Sequence, residues 1–346
     1  MLYRYRIKPK SPLMTPLMSD TFFGHFCWAL HYVHGESYLE NFLDSYGLGK
    51  TAPVIFSSAF ISGYLPRPTL PPLKRENIIA FVKDNFGSDR KSLFEGMALI
   101  KKWNQKRLLS IEQWLSLCDN FSKAAVVRLF YDSWKENKYA GDPDSFQAET
   151  DSANTIDRIS GTVLEEGGGL FTREKLWNVK SREFDLYVDI NDKDLHSDID
   201  YFLNEYLTVN GFGADKSIGM GELVITKDSD FDPSIFDVSE SNAKIALSLT
   251  SFPGMEQYTS YYRLMVKFGK LGGEFATHSP TGGNPRPFKK PILMFEPGAV
   301  FITSDDLNDR PLLEGVHSDT RIRHCGIPVT LNLKIEEFDS HAVKAA

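Results

Sequence analysis

The apolar positions change their period along the chain, and the changes mark its elements. From Leu2 to Ile7 they alternate, with Tyr3, Tyr5 and Ile7 on one side and Arg4 and Arg6 on the other. That is the period of a strand with one buried face. Ser11–Met18 carries two prolines and reads as a loop. Phe22, Phe26, Leu30 and Val33 then recur at helical spacing. They predict a helix from about Thr21 to His34, capped by Ser19 or Asp20 and ended by Gly35. Thr51–Leu65 has strand character and breaks at Pro66-Arg67-Pro68. Several helical segments follow between about Lys74 and Lys138. Gly141–Ala153 is acidic and polar, an expected exposed loop, and Asn154–Thr162 reads as a strand end. Glu165–Thr172 is glycine-rich and reads as a flexible hairpin tip. Phe184–Ile190 alternates as a strand, His196–Val209 is helical, and Glu222–Thr226 is a closing strand.

The order of these elements is β-α-β…β-α-β, which predicts an α+β class with a ferredoxin-like (RRM-like) first domain over 1–228. A helical insertion at about 74–140 interrupts it. A polar, acidic linker (Lys227–Asn242) leads to further strands at Lys244–Thr250, Tyr261–Phe268, Ile292–Phe295, Ala299–Thr303 and Pro328–Leu333, with a Gly- and Pro-rich stretch at Leu271–Pro287. These make a smaller second domain over 240–346, expected to be ferredoxin-like too.

Candidate chemistry concentrates just before the last strand of the first domain, in Gly211-Phe-Gly-Ala-Asp-Lys-Ser-Ile-Gly-Met-Gly221. Glycine admits positive φ and close approach of a ligand to backbone N–H groups. Lys216 adds a charge and Ser217 a hydroxyl, so the stretch could cradle phosphate oxygens. Asp215 stands where a Walker loop needs glycine, and a strand rather than a helix follows, so neither nucleotide-binding fingerprint fits. A polynucleotide backbone suits the loop better; a tight structural turn is the alternative. Phe212 and Met220 inside this polar stretch suit base stacking, and each is equally suited to anchoring the loop in its own domain.

The chain has 346 residues, 42% hydrophobic and 25% charged, with a net charge of −7. Free-standing nucleic-acid binders are usually basic, so RNA contact is expected to be local or shared with partners. Tyr261–Lys290 supplies six basic residues against one acidic one. Cys27, Cys118 and Cys325 are far apart and odd in number, which excludes a disulfide framework and a Cys-x-x-Cys metal site and fits a cytoplasmic protein. No apolar run approaches the length of a membrane span. Cys27, His31 and His34 share a helical face near Glu36, but a fourth zinc ligand is missing from the pattern, so no metal and no cofactor are expected.

Four stretches together resemble the RAMP superfamily of CRISPR-associated proteins. Ser19–Leu30 resembles its first-helix signature. Asp157-Arg-Ile-Ser-Gly-Thr162 with Gly169-Leu-Phe171 resembles its mid-chain arginine and thumb hairpin, here about 155–172. Gly211–Gly221 resembles its glycine-rich loop, and Pro291–Phe301 a β-turn-β signature of the second domain. Their order over Leu2–Leu333 is most similar to the group-five, subunit-four class of type III-A (Csm) effector complexes. The resemblance implies a non-catalytic subunit for antiviral defence. It would hold the 5′ repeat-derived tag of the CRISPR RNA and dock the large polymerase/cyclase subunit and the backbone subunit. Carried across, it implies RNA contacts by Ser19, Asp20, Thr21, Arg158, Phe171, Gly211, Phe212, Gly213, Lys216, Ser217, Gly219, Met220 and Gly221. It departs from the family at Ala153, where many relatives carry histidine. Two other functions compete with this one. A metal-independent CRISPR RNA endoribonuclease would use His25 or His31 as general base, and a protein-only scaffold would touch no RNA.

Overall fold

A computed structural model describes residues 1–157, 159–163, 169–277 and 287–336. The opening strand β1 (Leu2–Pro9) buries Tyr5 and Ile7, as its alternation requires, and leads through a loop to α1 (Ser19–His34) and α2 (Glu36–Asp44). Three short strands follow, β2 (Val54–Phe56), β3 (Phe60–Ile61) and β4 (Tyr64–Pro66). The insertion is helical as expected, with α3 (Arg75–Phe86), α4 (Arg90–Gln105), α5 (Ile111–Leu115) and α6 (Lys123–Lys135). A short strand, β5 (Leu108–Ser110), pairs back onto β4.

The stretch expected as an exposed acidic loop is instead β6 (Phe146–Asn154), paired residue for residue with β7 (Leu170–Asn178). Besides the backbone ladder, Lys175 and Arg173 of β7 pair with Asp151 of β6, at 2.8 and 3.2 Å. Beyond Phe146, which packs on the core, the strand carries polar residues on both faces, so it lacks the alternation by which strands are recognised. Beyond it lie β8 (Phe184–Ile190) and a helical run made of α7 (His196–Tyr201), a π-helical stretch (Phe202–Tyr206) and α8 (Leu207–Asn210), then β9 (Leu223–Lys227).

The first sheet has the order β2-β8-β1-β9, all neighbours antiparallel, with β3 also on β8. α1 and the π-helical stretch lie against it through Phe22, Phe26, Phe202 and Phe56. The segment joining the halves is fastened rather than loose. Asp228 receives Arg4 at 2.6 Å and Arg6 at 3.0 Å, and Phe236 is buried beside Trp114 and Tyr187.

In the second half are β10 (Ala243–Ala246), β11 (Thr250–Ser251), β12 (Thr259–Tyr261), β13 (Leu264–Lys267), β14 (Ile292–Phe295), β15 (Val300–Ile302) and β16 (Thr330–Leu333). They form antiparallel sheets of order β12-β15-β10-β16 and β11-β14-β13. The chain is thus a mixed α and β protein built on several antiparallel sheets. Its main core is continuous across the halves, with Ile245, Val300 and Leu331 in one cluster with Tyr5, Phe26 and Leu186. Ser248 seals the junction. Its hydroxyl donates to Phe56 O at 2.9 Å and accepts from Val329 N–H at 2.9 Å.

Candidate nucleic-acid interface

Gly211, at φ +71°, ends α8, and its N–H donates to Leu207 O at 2.9 Å. The loop then closes on itself, because Phe212 N–H donates to Gly221 O at 2.8 Å. A Cβ on Gly221 would overlap the carbonyl oxygen of Phe212, so only glycine allows this closure.

Phe212 is fully buried, its ring 4.7 Å from Phe22 and 5.2 Å from His25. It anchors the loop, which rules out base stacking by this side chain. His25 Nε2 accepts the Gly213 N–H at 2.9 Å. An acceptor nitrogen must be unprotonated, so this imidazole is neutral with its proton on Nδ1. Burial, with the nearby Lys216 charge, drives its pKa down to about 3.

The loop is also held from the Ser11–Met18 segment. Gly221 N–H donates to Pro12 O, Ala214 N–H to Thr15 Oγ1 and Glu222 N–H to Ser11 Oγ, at 2.9, 3.2 and 2.9 Å. From the hairpin, Arg173 on β7 reaches Asp215 at 3.3 Å while also meeting Asp151 of β6 at 3.2 Å. The hairpin base is pinned in turn by paired backbone bonds between Leu13 and Leu176 and by Phe146 stacking on Phe184 at 4.9 Å.

What this frame presents outward is a short turn, Lys216–Ile218, with left-handed residues, Asp215 and Gly219, on either side. Among the described residues, the N–H groups of Asp215, Lys216 and Ser217 have no hydrogen-bond partner, and the Lys216 ammonium has neither a hydrogen bond nor an ion pair. Partial burial lowers the Lys216 pKa. Consecutive free N–H groups beside a cation form a concavity that suits anionic oxygen. Ser217 and Gly219 are exposed and Met220 half-buried at its rim. The adjoining hairpin carries Phe171, Leu170, Ile156 and Ile159, all exposed.

The remaining sequence-selected residues behave differently. α1 begins at Ser19 rather than Thr21, with Met18 as its N-cap and no side-chain cap bond. Ser19 is buried, its hydroxyl accepting Leu249 N–H at 2.9 Å. Asp20 is ion-paired to Lys267 at 3.0 Å, with only 5% of its side chain exposed. Both side chains tie α1 to the second half instead of facing solvent. Thr21 is half-exposed. Arg158 and 164–168 of the expected thumb lie outside the described residues. The basic stretch at Tyr261–Lys290 is likewise turned inward in part. Lys267 meets Asp20, Lys289 donates to Arg323 O at 2.8 Å, and Lys290 donates to Gly315 O at 2.8 Å.

Cys27, His31 and His34 do not act together. His34 binds Asp198 at 2.7 Å, His31 packs edge-on to Trp28, and burial raises the Cys27 thiol to about 12. Among the described residues no group of three His, Cys, Asp or Glu side chains is placed to hold a metal ion, and no helix is long and apolar enough to cross a membrane. Sequence reasoning missed Thr15 and Arg173 as supports of the loop. It weighed His25 only as a base, although its position three residues after Phe22 put it on the face that α1 turns to the core.

No protein-family model matches the sequence, and no curated protein matches it. Solved structures do match in fold. The chain is similar to one in the crystal structure of the Csm3-Csm4 subcomplex of the type III-A CRISPR-Cas interference complex. The identity is 14%, 96% of this chain and 99% of that one are covered, and the TM-score is 0.58. It is also similar to a chain in the crystal structure of a Csm1-Csm4 cassette in complex with cA4. There the identity is 14%, the coverage 98% and 100%, and the TM-score 0.53. The chain therefore has the fold of a CRISPR-associated effector subunit across nearly its whole length. Csm4 is the component common to both structures, and the resemblance to the subunit-four class holds at the level of fold.

Proposed function

We propose that this chain is the subunit-four protein of a type III-A effector complex. It holds the 5′ tag of the CRISPR RNA on the glycine-rich loop and docks the large polymerase/cyclase subunit and the backbone subunit. The observation that carries this is the loop itself. It is braced from α1, from the Ser11–Met18 segment and from the hairpin, yet leaves the Lys216 ammonium and a run of N–H groups unsatisfied. Single-stranded RNA is held in this way, its backbone on N–H groups and cations and its bases stacked on nearby apolar surfaces. Phe171 and Met220 supply such surfaces beside the loop, and the stretch at about 155–172, which joins β6 to β7, is the thumb. The strand order β2-β8-β1-β9 is the one a β-α-β-β-α-β plan requires, which supports a ferredoxin-like first domain and, by the resemblance, a second one.

The role is non-catalytic and cytoplasmic. An RNA-cleaving role needs a free general base; of the two candidates, His25 has its Nε2 lone pair already bonded to Gly213 N–H, and His31 packs edge-on to Trp28. The deciding experiment is to purify the tagged protein from its native host and sequence bound RNA. Short RNAs sharing one repeat-derived 5′ end, together with several protein subunits, are expected. A stoichiometric protein complex without RNA would establish the scaffold alternative instead.

A further inference from the structure

A second cationic site lies away from the glycine loop, where the helical insertion meets the second half. Arg67, just beyond β4, is only 5% exposed, and its guanidinium donates to Trp103 O at 3.0 Å and to Asn104 O at 2.9 Å. Both acceptors are neutral carbonyls, so its charge is not balanced by a carboxylate. Arg67 N–H also bonds Arg107 O at 2.8 Å, which brings a second arginine alongside. Arg107 is paired with Glu296 at 2.9 Å, and Glu296 N–H in turn binds Arg263 O at 2.9 Å. Neither the Arg263 guanidinium nor the Lys123 ammonium has a hydrogen bond or an ion pair among the described residues. Lys106 is buried nearby, its ammonium on Ala140 O at 3.0 Å. The carboxylates here are Asp142, whose oxygens accept the Arg107 and Leu108 N–H groups, and Glu296. Positive charge is thus in excess, in a chain whose net charge is −7.

Lys123 opens into a cavity of about 170 Å³ that Asn104 also lines. The other walls are aliphatic: Leu70, Pro72, Leu73, Ile78, Ile100 and Val127. Among the described residues no aromatic side chain lines it, so these walls offer nothing for a nucleobase to stack on. Its shape and chemistry suit one aliphatic side chain with a carboxylate beside it. Burial, reinforced by the Arg67 and Arg263 charges, lowers the Lys123 pKa to about 8, as expected of a cation held without a counter-charge.

We propose that this cavity, with Lys123 on its wall and the Arg67 guanidinium held behind Asn104, docks a short acidic segment of a protein partner, an aliphatic side chain entering the cavity and a carboxylate pairing with Lys123. The site is independent of RNA binding by the glycine loop. Charge complementarity selects the occupant, since a desolvated, unpaired ammonium is costly until an anion reaches it.

The test uses the full chain and two fluorescein-labelled probes read by anisotropy, a short peptide of alternating leucine and aspartate and a short oligouridylate. Lys123→Glu should weaken the peptide by about tenfold or more and leave the oligouridylate unchanged. Replacing the aspartates of the probe by asparagine should weaken it similarly. Lys216→Ala should do the reverse, which separates failure of this site from failure of the loop. Arg263→Gln, at a half-exposed position joined to Arg107 through Glu296, serves as a second variant should Lys123→Glu lower the thermal midpoint. Equal peptide affinity in the wild type and both variants would overturn the proposal. So would loss of oligouridylate rather than peptide binding, which would assign the crevice to RNA backbone.

Discussion

His25 Nε2 accepts a hydrogen bond of 2.9 Å from Gly213 N–H, so a helix of the first half fixes the conformation of the glycine-rich loop. The bond requires a neutral imidazole, and the pKa of about 3 agrees with it. His324, buried against Lys289, is also depressed to about 3. For both groups the folded pKa lies below the unfolded one. Their contribution is therefore complete above the unfolded value of about 6.5 and is lost as the pH falls towards 3. Urea denaturation should show stability falling by roughly 1–2 kcal/mol per histidine between about pH 7 and pH 5. A His25→Gln variant should show a shallower fall over the same interval, and an unchanged slope would mean His25 titrates normally.

The loop glycines should separate by the space around them. Gly221 sits at φ +76° with Phe212 O in the way of a side chain, whereas Gly219 sits at φ +86° in open space. Gly219→Ala should cost about 1–2 kcal/mol for the left-handed backbone alone. Gly221→Ala should cost more and should loosen the Phe212 anchor, seen as a lower thermal midpoint. Equal midpoints would show that loop closure is not what fixes the conformation.

Lys216→Ala removes an ammonium that makes no hydrogen bond or ion pair among the described residues. RNA affinity should drop while the thermal midpoint stays in place. The slope of log affinity against log salt should shrink by about one phosphate contact. Equal affinity for mutant and wild type would falsify the loop as the RNA cradle.

Arg173 links the hairpin to the loop by pairing with both Asp151 and Asp215. Arg173→Gln should weaken RNA binding although its side chain is not at the proposed contact surface. Deletion of Val163–Phe171 should impair complex assembly more than folding, because Val163, Leu170 and Phe171 are exposed, whereas the hairpin meets the core at its other end through Phe146 and Leu176. Normal assembly of that deletion would remove the thumb assignment.

Lys123, with its pKa near 8, has a far larger unprotonated fraction at pH 8 than an ordinary lysine of pKa about 10.4. Brief treatment with limiting acetic anhydride, followed by peptide mass mapping, should find Lys123 among the first lysines acylated. Modification at the same rate as exposed lysines such as Lys91 would contradict the lowered value.

The sequence by itself determined the elements whose apolar period faces a core. Tyr5 and Ile7 of β1 and Phe22, Phe26 and Leu30 of α1 are buried as their spacing implies, while Val33, at the end of the same stripe, remains 49% exposed. The order of strands and helices, the helical insertion and the resemblance in fold were legible for the same reason, since each is written in local periodicity and turn chemistry. Tertiary structure alone decided the rest. The polar strand β6 exists because β7 pairs with it across the chain, a contact that leaves no hydrophobic trace. Ser19 and Asp20 look like helix caps locally, but partners more than two hundred residues away, Leu249 and Lys267, claim their side chains. Phe212 could have been a stacking surface until Phe22 and His25 covered it. A glycine-rich stretch says only that the backbone can turn sharply. Whether its N–H groups face inward or outward depends on which distant groups satisfy the others, and here His25, Thr15 and Pro12 take theirs and leave those of Asp215, Lys216 and Ser217 open.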